Sequence, residues 1–102
     1  MNNYNEFRQA LDADLTSLLL LLPKEFSSQQ FIGAVKELLH NEYSRILNGR
    51  SYRSVNVWLS RWYLQGLSES SVIVKINRKK EVLTENRSKS RNQIWRKNET
   101  LD

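Results

Sequence analysis

Residues 49–66 read GRSYRSVNVWLSRWYLQG, a turn rich in Arg, Ser and Tyr that leads into an amphipathic segment. The spacing predicts a helix at about 54–66, ended by Gly66. Four apolar side chains recur at helical intervals and predict its buried face, so both tryptophans are expected in the core. They are Val55, Trp58, Leu59 and Trp62. The opposite face is Asn56, Val57, Ser60, Arg61 and Leu64.

Two further helices are predicted upstream of this segment, at about 28–39 and 41–48. Ser27 lies three residues before Gln30, which is the spacing of a capping box at a helix start. Gly49 is a natural stop after the second of these helices, because glycine readily adopts the left-handed conformation found there.

The chain begins with a predicted amphipathic helix over about 3–22, which Pro23 stops. Leu20 and Leu21 lie off its apolar stripe, which indicates a second packing partner, either within the chain or in another copy. Residues 1–23 are therefore treated as an N-terminal helical element and a candidate dimerisation element through residues 4–22. The stripe itself is Tyr4, Phe7, Leu11, Leu15, Leu18 and Leu22.

After Gly66 the apolar pattern changes from helical to alternating, which predicts a strand over about 72–76. A second short strand is predicted at 93–97, with Ile94 and Trp95. Residues 77–92 between them are mostly charged and polar, so 72–97 forms a β-hairpin with a long basic tip. Residues 98–102 are expected to be a frayed tail.

Charge divides the chain into two halves of opposite sign. Residues 1–48 hold four basic and six acidic side chains, whereas residues 49–102 hold twelve basic and five acidic ones. The first half therefore carries −2 and the second +7. A basic half of this composition is typical of a surface that meets phosphates.

The composition argues against most catalytic and membrane functions. The chain has 102 residues, no cysteine and one histidine, which leaves out thiolate chemistry and Cys-based metal sites. No Gly-rich phosphate loop is present, so no enzyme activity, cofactor or metal is expected. The longest apolar run, Leu18–Leu22, is too short to span a bilayer of about 30 Å. A cytoplasmic protein without a membrane partner is expected.

The order helix, helix, turn, helix and basic hairpin, over about 26–97, resembles the winged helix-turn-helix family of DNA-binding domains. The resemblance implies a mainly α fold with a small C-terminal β-hairpin, in which 24–97 is the winged-helix domain. Residues 1–23 then form an extra N-terminal helix outside the common core. Such extensions often build dimers in this family, which implies a homodimer here.

The resemblance also implies a DNA-binding surface and the role of a small transcriptional regulator. Helix 54–66 would enter the major groove and present Asn56, Ser60 and Arg61 to base edges, where Asn56 suits adenine and Arg61 suits guanine. Phosphates would meet the helix start at Arg50, Ser51, Arg53 and Ser54. The hairpin would contact the DNA backbone or minor groove through Arg78, Lys79, Lys80, Arg87, Lys89 and Arg91.

Two alternatives remain open at this point. Winged-helix folds also serve as protein-interaction adaptors, in which case the Leu-rich first helix would dock a partner and the basic half would meet an acidic protein. An RNA-binding protein is the other alternative, with Tyr52, Tyr63 or Trp95 stacking on unpaired bases. The charges at 78–91 could also be a solvated loop that only keeps the protein soluble.

Overall fold

The computed structural model describes residues 4–83 and 89–98, with the backbone alone at 77–83 and 89–92. It is mainly helical with a small three-stranded antiparallel sheet. The helices are α1 Tyr4–Ala13, α2 Leu15–Leu20, α3 Ser28–Leu38, α4 His40–Ile46, α5 Tyr52–Val57, a π-helical segment Trp58–Tyr63, and α6 Leu64–Glu69. The strands are β1 Glu25–Ser27, β2 Ile73–Leu83 and β3 Lys89–Lys97.

α5, the π-helical segment and α6 follow one another without a break, and we call residues 52–69 the long helix. It is longer than the helix predicted at 54–66. The predicted stop at Gly66 is wrong, because α6 continues to Glu69 and the chain turns only at Ser70 and Ser71. Ser71 takes the left-handed conformation in that turn, with φ of 63°.

The sheet has the order β1-β3-β2, so the last strand of the chain lies in the middle. β1 was not predicted, and it pairs with β3 around Phe26 opposite Trp95. β2 and β3 pair from Ile73 opposite Lys97 to Leu83 opposite Lys89. The predicted long tip at 77–92 is therefore wrong for the described part of it, since 77–83 and 89–92 belong to the paired strands.

The start of α3 confirms the predicted capping box. The Ser27 hydroxyl accepts from the Gln30 backbone N–H at 3.1 Å, and the Gln30 side-chain oxygen accepts from the Ser27 N–H at 2.8 Å. α3 and α4 confirm two separate helices between 28 and 48, within two residues of the predicted bounds. Gly49 follows α4 with φ of +81°, the left-handed conformation that a glycine stop requires.

The N-terminal segment consists of two helices, α1 and α2, rather than the single helix predicted, and the break lies at Asp14. It does not stand apart from the rest of the chain, because its buried apolar side chains belong to the same core cluster as those of the later helices and β3. These are Phe7, Leu11, Leu18, Leu19 and Leu22. The segment therefore contributes to the hydrophobic core, while its assignment as an extension beyond the core common to the family stays a prediction.

Polar contacts in the middle and at the C-terminal end of this segment fix it to the core. The buried Tyr63 hydroxyl donates to an Asp12 carboxylate oxygen at 2.7 Å, which joins α1 to the long helix. The Lys97 ammonium donates to the carbonyl oxygens of Leu19 and Leu22, both at 2.9 Å, and so closes the C-terminal end of α2. Among the described residues, no helix has the length and apolar character to cross a membrane.

Candidate nucleic-acid interface

The π-helical segment determines which side of the long helix faces solvent. Val55 and Leu59 are buried as predicted, but the next buried residues are Tyr63 and Leu64. Leu59 and Leu64 are five residues apart, one residue more than an α-helical turn allows. The wider turn therefore rotates everything after Leu59 relative to an unbroken α-helix.

This rotation reverses the predicted exposure of two residues. Trp62, predicted to be buried, is 70% exposed, and Leu64, predicted to be exposed, has no exposed surface at 0%. Trp58 is half-buried and stacks on Tyr4 with ring centroids 4.7 Å apart, so it does contribute to the core. A buried face drawn through Trp58 and Trp62 therefore places Trp62 on the wrong side of the helix.

The solvent side of the long helix gathers two arginines around a small apolar patch. Arg53, Val57 and Arg61 follow at four-residue intervals, and all three are exposed. Ser54 and Trp62 are exposed beside them. We call these five residues the candidate interface. Arg53, predicted at the helix start, and Arg61, predicted within the helix, therefore both reach solvent.

The residues at the helix start also have structural roles. Ser51 is the N-cap, and its hydroxyl accepts from the Ser54 backbone N–H at 3.1 Å. Half-buried Arg50 donates to the Ile46 carbonyl at 3.2 Å, and its guanidinium lies 5.0 Å from the centre of the Tyr4 ring. Phosphate contacts by Arg50 and Ser51 stay predictions, and both side chains already stabilise the turn.

Two of the predicted base-reading residues have partners within the chain. The Tyr43 hydroxyl donates to the Asn56 side-chain oxygen at 2.8 Å, which joins α4 to α5. Burial raises the pKa of Tyr43 and the neighbouring Tyr52 raises it further, so the phenol keeps the proton that it donates. Half-buried Ser60 donates to the Val57 carbonyl at 3.3 Å. Base contacts by Asn56 and Ser60 remain untested.

The basic hairpin residues lie where the sheet narrows to two strands. β1 pairs with β3 only opposite 94–96, so 79–83 and 89–93 pair with each other alone. In this ribbon, the register sets Lys79 opposite Gln93, Lys80 opposite Asn92, Glu81 opposite Arg91, and Leu83 opposite Lys89. Arg78 also lies on β2, and Arg87 is outside the described residues. α6 packs against β2, the strand that leads into the ribbon.

Sequence reasoning missed a cationic site between α3 and the long helix. The exposed Lys36 ammonium lies 5.5 Å from the centre of the Tyr43 ring and 5.6 Å from that of Tyr52. Nothing in the local pattern brings Lys36 to Tyr52, because the two residues are on different helices. For Trp62 a signal did exist, since Leu59, Tyr63 and Leu67 also recur at intervals of four.

Two of the three aromatic residues assigned to RNA stacking are buried. Tyr63 and Trp95 are both buried, and the Trp95 indole N–H donates to the Ser28 hydroxyl at 2.9 Å. Neither ring can stack on a base, so that assignment is wrong for both. Tyr52 is exposed and remains available. Within 4–83 and 89–98, no group of three or more His, Cys, Asp or Glu side chains could hold a metal ion.

Comparisons of the chain with family models, with curated proteins and with solved structures find no match. The proposed function therefore rests on the candidate interface, on the distribution of charge and on the order of the elements.

Proposed function

We propose that this chain is a non-enzymatic DNA-binding protein of the winged helix-turn-helix kind, and that it acts as a small transcriptional regulator. The observation that carries the proposal is the solvent side of the long helix, where Arg53 and Arg61 are exposed on one stripe. A helix of this kind fits the major groove of B-DNA, and arginine pairs there with guanine or with the flanking phosphates.

Charge along the chain supports an anionic partner. Between Tyr43 and Lys80 the sequence holds eight basic side chains and a single acidic one, Glu69. This run covers the long helix and the first part of the hairpin, the two elements assigned to DNA. The basic residues are Arg45, Arg50, Arg53, Arg61, Lys75, Arg78, Lys79 and Lys80.

The order of elements supports the winged-helix interpretation over residues 24–97. α3 and α4 precede a short turn, the long helix follows the turn, and the β2–β3 hairpin follows the long helix. In this interpretation the long helix reads base edges and the two-stranded ribbon contacts the DNA backbone. A β-ribbon rich in Lys and Arg adds affinity with little sequence preference.

Self-association through the N-terminal segment is a separate part of the proposal. Leu20 is 77% exposed and Leu21 is 50% exposed, at the end of α2. Because the other large apolar side chains of the segment lie in the core or pack against it, replacing these two leucines with glutamine should leave the fold intact. A homodimer would then become a folded monomer, which sedimentation can detect.

A protein-interaction adaptor is the second candidate function. The same exposed leucines favour it, as does Trp62, because exposed tryptophan and arginine side chains often dominate protein interfaces. Recovery of a protein partner that survives nuclease treatment would favour the adaptor. Loss of the retained material after nuclease treatment would favour the DNA-binding protein.

Fluorescence anisotropy with a labelled duplex at two salt concentrations tests the proposal. Contacts to about six to eight phosphates predict a log–log slope of affinity on salt of about −5 to −7. A single-stranded RNA competitor run in parallel ranks the RNA alternative. Absence of duplex binding at low salt would end the proposal.

A further inference from the structure

The indole of Trp62 is the largest exposed aromatic surface on the long helix. It is 70% exposed in a segment whose other aromatic residues, Trp58 and Tyr63, contribute to the core. Exposing so much apolar surface to water is unfavourable, so binding of a ligand that covers the ring would be favoured by removing that surface from water.

The π-helical turn is what brings the ring to the candidate interface. Such turns are rare in proteins and are frequently found at functional sites. Here the turn lets Tyr63 and Leu64 enter the core and leaves Trp62 next in sequence to Arg61 on the solvent side. Val57, five residues before Trp62, is also an exposed apolar side chain of the candidate interface.

The chemistry of duplex DNA then limits what the ring can meet. The faces of paired bases are covered by stacking, so a side chain in the major groove reaches only their edges. The one apolar group on those edges is the C5-methyl of thymine. An adjacent arginine suits a phosphate or a guanine next to that thymine.

Resting on the proposed function, we propose that Trp62 is a specificity-determining residue that contacts the thymine methyl group in the major groove. Arg61 supplies the neighbouring polar contact, and Val57 extends the apolar surface. The ligand is duplex DNA whose site contains a thymine at one defined position. Trp62 selects for the methyl group itself, which distinguishes it from a residue that only adds affinity.

Replacing thymine with deoxyuridine removes the methyl group and leaves base pairing intact, which isolates this contact. Duplexes recovered from a random pool by the unaltered protein are prepared with each thymine in turn changed to deoxyuridine, and affinities are measured by anisotropy. At one position the unaltered protein should lose about fourfold in affinity, the factor for burying one methyl-sized group.

Trp62→Ala should bind the thymine duplex at least about fourfold more weakly and should not distinguish thymine from uracil. Leu38→Ala is the matched control, because it removes an exposed apolar side chain from α3 and should keep the discrimination. Thermal melting followed by circular dichroism verifies that each variant is folded.

Each outcome separates this inference from the proposed function. If the unaltered protein binds no duplex, the proposed function fails and the inference fails with it. If the protein binds duplex DNA but no thymine shows the methyl effect, the inference alone is overturned. It is also overturned if Trp62→Ala keeps the discrimination, or if the variant weakens only single-stranded DNA or a protein partner.

Discussion

Alanine substitutions at Leu64 and Trp62 test the rotation of the long helix directly. Leu64 has no exposed surface, so Leu64→Ala should lower the free energy of unfolding by about 2–5 kcal/mol through lost burial and the cavity it leaves. Trp62 is 70% exposed, so Trp62→Ala should change the free energy by no more than about 0.5 kcal/mol. In an unbroken α-helix Trp62 would be buried and Leu64 exposed, so Trp62→Ala would be the more destabilising substitution.

Urea denaturation followed by far-UV circular dichroism is the suitable assay, because three tryptophans make fluorescence changes hard to assign. In thermal melts, Leu64→Ala should lower Tm by at least about 8 °C for a domain of this size. Leu59→Ala serves as the control, since Leu59 is buried in either register and should cost about 2–5 kcal/mol. A large loss for Trp62→Ala, about 3–5 kcal/mol, together with a neutral Leu64→Ala, would refute the π-helical turn.

Three further predictions concern stability. Tyr63→Phe and Asp12→Ala should each lower the free energy of unfolding by about 1–3 kcal/mol, and a double-mutant cycle without coupling would contradict their hydrogen bond. Burial, reinforced by Asp12, raises the pKa of Tyr63 above its usual 10, so folding favours the protonated phenol. The resulting stability is complete below pH 10 and is lost as pH rises through the folded pKa, so Tyr63→Phe should flatten the alkaline decline in urea titrations; an unchanged decline would contradict this. Gly49→Ala should cost about 1–2 kcal/mol and Ser71→Gly should gain about 0.5 kcal/mol, because both residues have positive φ; chemical denaturation that shows no loss for Gly49→Ala would rule out the left-handed stop.

Local chemistry made parts of the fold predictable. The capping box at Ser27 and the apolar period after it located α3, because a cap and its helix are adjacent in sequence. The change from a helical to an alternating apolar pattern after Gly66 located the start of the hairpin, because that signal also lies in adjacent residues. β1 was missed because three residues carry little pattern, and its partner strand lies about seventy residues further along the chain.

The exposure of the candidate site was predictable only in part. Arg53 and Arg61 are exposed as expected, whereas Trp62 and Leu64 exchanged places because the predicted buried face assumed an unbroken α-helical turn. The partners of Asn56 and Arg50 could not be predicted from the local sequence either, since Tyr43 and Tyr4 lie on other helices. Packing between helices determines the exposure and the contacts of these side chains.

The proposed DNA binding depends on phosphates meeting the exposed arginines of the long helix, and the salt dependence of duplex binding tests this most directly. The double variant Arg53→Gln, Arg61→Gln is compared with Arg8→Gln, Lys24→Gln, which removes the same charge from exposed positions in the N-terminal half. We expect the first variant to reduce the magnitude of the log–log slope by up to about 2 and the second to leave it unchanged. Equal changes in both variants, or no change in the first, would contradict a DNA-binding surface on the long helix.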